Sequence, residues 1–252
     1  FHQPEHPVSE SVSPRPAGVA PEKSGLLDDL LDVFIAPTKL FARDIKGRFF
    51  AVMMIVSILV AVLGFVNRGV LYTAMESEYL RSMVAAQAEN PQLTEEMMQQ
   101  GKAIAIGAQT YGLIVLMPII IFCIGLMTFL ASKIVGADVN FGAALTIGAF
   151  AYAPRIIEQV LIAVQGVALD GANFTSRFQF SIGAARFLAP DFPIGLASVI
   201  ARTDLFTVWV TVLIGIGIAK IGKVEATKAA IAAVIVWVLG MIPVVPALMS
   251  GQ

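Results

Sequence analysis

Arg202–Ala230, RTDLFTVWVTVLIGIGIAKIGKVEATKAA, decides the fold. From Thr203 to Ala219 the run is apolar apart from its first turn. At 1.5 Å per residue, about 20 such residues cross the hydrocarbon of a bilayer. The run is slightly short, so Ile200–Thr203 and Lys220 are expected to extend it. Asp204 stands where the helix would begin. A carboxylate there accepts backbone N–H bonds and meets the positive end of the helix dipole. Gly215 and Ala219 are four apart, the spacing that lets two helices approach closely in lipid. Lys220, Lys223 and Lys228 crowd the turn that follows, which marks it as cytoplasmic.

Composition agrees. Of 252 residues, 57% are hydrophobic and 14% charged, against about 25% charged in a soluble domain. Lipid excludes charge, so the deficit points to a membrane protein. The net charge of −1 shows no nucleic-acid footprint. Cys123 is alone in an apolar run, so no internal disulfide is expected. The first apolar run starts too late for a signal peptide, and the chain opens on Phe1, which suggests processing or truncation.

Residues 1–24 hold five prolines and almost no large apolar side chain, the composition of a disordered tail. His2 and His6 lie in it without further ligands, so no metal site is expected. Residues 25–48 predict a helix along the membrane interface, capped by Ser24. Leu27, Leu30, Leu31, Phe34 and Ile35 share one face, with Asp28, Asp29 and Asp32 opposite. That apolar face could lie in lipid or pack on the spans.

Four further apolar runs, about 49–66, 110–131, 141–169 and 229–249, join 203–219 to make five spans. The expected fold class is an all-α polytopic bundle. Pro118 is a candidate kink, and 141–169 is long enough to tilt or bend. Residues 67–108 read as a polar helical excursion with Thr94 capping its second helix. Residues 170–202 read as a second loop with short helices at headgroup level.

The Asp204-Leu205-Phe206 element, Trp209, Leu213-x-Gly215-x-Gly217, Lys223 and Lys228-Ala229-Ala230 together resemble the fourth and fifth spans of the Yip family. Asp32-Val33-Phe34-Ile35-Ala36-Pro37 before the first span resembles it too. The similarity covers about residues 26–249. It implies a five-span, non-enzymatic membrane protein that binds partners or organises membrane, an accessory subunit of a larger complex being one form of this, and suggests a bacterial member. The family takes its name from interaction with Ypt/Rab GTPases. A Rab-type GTPase partner is implied only for a eukaryotic chain. Otherwise the expected partners are membrane lipids and other membrane proteins, in a homo- or hetero-oligomer.

Charge sets orientation. With an inside N-terminus, the inner flanks carry eight basic residues in 29 positions and the outer flanks six in 78. The positive-inside rule therefore puts the N-terminus in the cytoplasm and the C-terminus outside. In a bacterium the membrane would be the inner, cytoplasmic one.

Within the third span stand Tyr152, Pro154, Arg155 and Glu158. Charges at such depth cost about 2.5–3.5 kcal/mol each on insertion scales. Arg155 and Glu158 are three apart on one helix face and can pair. Three readings stay open: a polar binding site for an ion, a proton or a lipid headgroup, a self-satisfied pair that fixes packing, or a pair that sits shallower because the helix breaks at Pro154. With Tyr152 and Asp204, these are the candidate binding residues. Gly215 and Ala219 are the candidate packing pair.

No catalytic elbow, zinc-protease helix or phosphate loop is present, and both histidines lie in the tail. We expect no enzyme and no cofactor. The alternatives to partner binding are a small transporter or channel that uses Arg155 and Glu158, and a lipid-handling protein.

Overall fold

The computed structural model describes residues 25–45, 47–170 and 173–249. The expected tail, with His2, His6 and Ser24, lies outside them. The described residues are helical, without strands.

Helix α1 (Leu26–Ile35) opens at Gly25, whose N–H is accepted by Asp28 at 3.0 Å. Pro37 then opens the one-turn α2 (Pro37–Leu40), using a position where the missing N–H costs nothing. The acidic face of α1 is only partly open to solvent: Asp28 is exposed, and Asp29 and Asp32 are not. Asp29 is fully buried, ion-paired to Arg43 at 3.1 Å and to Arg48, and Arg43 reaches Asp32 at 2.6 Å. Arg43 and Arg48 thus fold back over Asp29 and Asp32. The apolar arc of α1 is wider than the bundle can cover. Val33 is buried and Phe34 meets Trp209 edge-on at 5.9 Å, while Leu27, Leu31 and Ile35 are left 72%, 62% and 80% exposed. The helix therefore does both things its sequence allowed: it packs on the spans and keeps an apolar strip uncovered.

α3 (Phe49–Val66) is the first apolar rod. α4 (Arg68–Glu89) and the start of α5 (Glu95–Ile134) form an antiparallel hairpin. Thr94 caps α5 by accepting from Met97 N at 3.3 Å. Tyr79 Oη donates to Met98 O at 2.8 Å, and Glu76 pairs with Lys102. α5 is one helix of 40 residues that runs through Pro118 and ends three residues beyond the expected 131.

The expected third span is two helices, α6 (Phe141–Ala151) and α7 (Pro154–Ala168), broken at Tyr152–Ala153. Asn140 caps α6, accepting from Ala143 N at 2.9 Å. α6 is the axis of the bundle: its residues from Ala144 to Ala151 are all buried, as a helix apolar on every side should be. α5 can approach it closely because two glycines meet. A Cβ on Gly148 would lie 2.9 Å from Gly125 Cα, and one on Gly125 would lie 2.7 Å from Leu145 Cα.

The fourth expected span, 203–219, is one helix, but a shorter helix that was not expected leads into it. α8 (Ile194–Ala201) and α9 (Leu205–Ile221) meet at 48°. Composition hid α8, because Pro190 and Pro193 made its surroundings read as loop. α9 packs on α6 through Gly217, whose Cβ would lie 2.7 Å from Ile147. Gly215 faces α10 (Ala226–Leu239), with Ala233 Cβ 3.5 Å from where its own Cβ would stand, and Ala219 is partly buried against the same core. A one-turn 3-10 helix and α11 (Val245–Met249) complete the run. Four helical stretches, Phe49–Val66, Tyr111–Ile134, Phe141–Ala168 and Ala226–Met249, are long and apolar enough to cross a membrane. The bent α8–α9 pair makes a fifth when it is counted as one span.

Candidate functional site

Both broken spans break where charge is placed. Pro154 brings no N–H and forces the chain to restart, as the first residue of α7. Three turn residues, Arg202–Asp204, separate α8 from α9. Asp204 Oδ1 then accepts from Phe206 N at 2.7 Å and Thr207 N at 2.9 Å, satisfying two of the donors left open at a helix start.

One chain of hydrogen bonds links the two breaks. Arg155 Nη1 donates to both oxygens of Glu158 at 2.7 Å. Arg155 Nη2 donates to Thr207 Oγ1 at 2.7 Å, and that hydroxyl donates on to Asp204 Oδ2 at 2.7 Å. The order is carboxylate, guanidinium, hydroxyl, carboxylate. Asp204 and Thr207 are 8% and 4% exposed. Tyr152 lies within electrostatic reach of Arg155, Glu158 and Arg202. The structure thus brings together Tyr152, Arg155, Glu158 and Asp204. Gly215 and Ala219 stand apart, against α10.

Sequence reading missed two members. Thr207 bridges Arg155 to Asp204 across 52 residues, a separation that leaves no local mark. Its one signal is the three-residue spacing from Asp204. Arg202 reads as a flank charge, yet it sits at the break. Its Nη2 donates to Trp237 O at 3.3 Å while Trp237 Nε1 donates to Arg202 O at 2.9 Å. This reciprocal pair pins α10 at the level of the break. The Nε atoms of Arg155 and Arg202 are both buried without a hydrogen-bond partner.

The loop before α8 packs onto the cluster. Leu205 N donates to Ile182 O at 3.1 Å, and Gly183 lies so close that a Cβ on it would be 3.0 Å from Asp204 Cα. Gln165 of α7 donates to Phe180 O at 3.1 Å and accepts from Arg186, stitching the loop down. Phe180 and Ala185 are consequently buried.

Residues 31–246 match the model of the Yip1 domain. The chain belongs to the Yip1 domain family. No curated protein and no solved structure matches it. The Yip1 domain match opens inside α1 and closes inside α11, so it takes in both breaks and the hairpin. The Yip1 family is one of membrane proteins that interact with partners such as GTPases, and it is not known for catalysis. With the apolar helices, membership makes this an integral membrane protein.

The cap offers a direct test within the Yip1 domain. Asp204→Ala removes the acceptor of two backbone N–H groups and of the Thr207 hydroxyl. A loss of about 1–2 kcal/mol is expected, read as a lower Tm in detergent. Asp204→Asn, which keeps an acceptor, should lose less than half of that. Equal losses would show that charge, not capping, is what Asp204 contributes.

Proposed function

We propose that this protein is a non-catalytic organiser of membrane assemblies that docks other membrane proteins through the α4–α5 hairpin, outside the bilayer. One observation carries the reading. The hairpin is bolted together internally, yet Leu80, Val84, Met97 and Ile104 are 49%, 70%, 55% and 72% exposed on segments that precede or follow the spans. Apolar side chains left uncovered away from lipid mark contact surfaces. The positive-inside argument puts this hairpin on the extracytoplasmic face, so the partner is a membrane protein with residues exposed there, a second copy included.

The test is co-isolation. Val84→Glu with Ile104→Glu should strip bound partners from the chain extracted in mild detergent, as read by mass spectrometry, while its own Tm moves little. An unchanged set of co-isolated proteins would overturn the reading.

A second reading rests on a different observation: two discontinuous spans meet at Arg155, Glu158, Thr207 and Asp204. Substrate and ion sites of transporters are commonly built from such broken helices. Glu158→Gln in proteoliposomes decides it. A fall in proton or cation flux supports transport, and identical flux supports the docking reading.

A further inference from the structure

A second site lies apart from the polar cluster. Between α4, the 173–193 loop and the start of α8 is a cavity of about 260 Å³. Phe178, Leu188, Phe192 and Ile194 give it an apolar lining, and Arg81 and Glu78 stand in its wall. The two charges are not equivalent. Glu78 is already held: it accepts from Ser176 Oγ and Arg177 N, both at 2.8 Å, and faces the Arg177 guanidinium at 3.4 Å. Arg81 donates through Nη2 to a neutral group, the Thr175 carbonyl, at 2.8 Å. An apolar hole beside a guanidinium bonded to a neutral carbonyl suits an amphiphile with an anionic head.

We propose that this cavity holds one acyl chain of an anionic phospholipid, with its phosphate against Arg81. Three features favour a lipid of the adjoining leaflet. Ile194 and Ala197 in the lining belong to α8, which leads directly into the apolar helix α9, so the cavity adjoins the apolar helices of the bundle. Phe187 and Leu196 beside it are 85% and 49% exposed and carry the apolar surface on toward the lipid-facing helices. The volume falls just below the roughly 300–1,000 Å³ of sites for whole drug-sized ligands, which fits one chain and not two. Asp191 also lines the site and is exposed, so the head is expected to lie on the Arg81 side, away from it. The inference is independent of partner docking.

The experiment uses the full chain in vesicles that contain phosphatidylglycerol with a photoreactive group on one acyl chain. Adducts mapped by mass spectrometry should concentrate on residues 81–85, 178 and 188–197, with those on lipid-facing α10 as the internal standard. Arg81→Ala should lower the ratio about tenfold, the equivalent of about 1.4 kcal/mol. Because Arg81 also holds Thr175, Ala85→Trp, which narrows the cavity without touching a charge, serves as the second variant and should lower the ratio as well. Phosphatidylcholine carrying the same photoreactive chain should label the cavity severalfold less. The proposal fails if adducts merely follow exposed area, if both variants label as the parent does, or if phosphatidylcholine labels equally.

Discussion

Gly148→Leu should leave no folded protein to purify. At Gly148 the α5 and α6 backbones touch, and even a Cβ would lie 2.8 Å from Gly125 N and 2.9 Å from Gly125 Cα. Neither atom can rotate away, because both are main chain. Overpacking in a core usually costs about 1–3 kcal/mol, and it costs that little because side chains give way. Here the whole of α5 must back off from the most deeply buried helix of the bundle, and on the order of 5 kcal/mol or more is expected. Gly148→Ala is the graded control. It gains up to about 1 kcal/mol in helix propensity and loses more than that to the clash, so its Tm should fall by several degrees. Gly69, with open space around it, should accept alanine without loss. If Gly148→Leu melts with the parent, α5 and α6 are not in backbone contact.

Asp29→Ala should release α1 from the bundle. The carboxylate is fully buried between Arg43 and Arg48, whose side chains are 28% and 24% exposed. Removing one partner of a buried pair typically costs about 3–5 kcal/mol because the other charge is stranded. Water at the arginines, and the Asp32 that Arg43 retains, bring the expected loss to about 2–3 kcal/mol. The loss has an optical signature. Phe34 packs edge-on against Trp209, so in a Trp237→Phe background the fluorescence of Trp209 should shift and become more open to aqueous quenchers. Asp29→Asn, which keeps the shape but not the charge, should fall between. Unchanged Trp209 emission in Asp29→Ala would show that the ion pairs do not hold α1.

These two sites differ in how far the sequence announces them. Apolar runs predicted the long apolar helices but not α8, and the caps Thr94 and Asp204 were readable because a short polar side chain before an apolar helix has few other roles. The breaks were harder to read. Pro154 was visible, but the apolar pattern continues on both sides of it, and a proline inside a membrane helix often only bends it. The burial of Asp29 was not readable for a plain reason. A helical wheel shows that Asp28, Asp29 and Asp32 share a side, not which neighbour will fold over that side. The neighbour is Arg43 and Arg48, brought back by the turn after Pro37. Arg155–Thr207 and Gly125–Gly148 are contacts between segments far apart in the chain, so neither residue's surroundings name the other.

α5 is a single shaft. At 1.5 Å per residue its 40 residues measure about 60 Å, from the tip of the hairpin to the turn where Asp138 N bonds Gly222 O. The hairpin and the apolar stretch Tyr111–Ile134 therefore share one rod, so a tilt of one is a tilt of the other, and Pro118, where Ile114 O lacks its usual donor, is a softened point along the way.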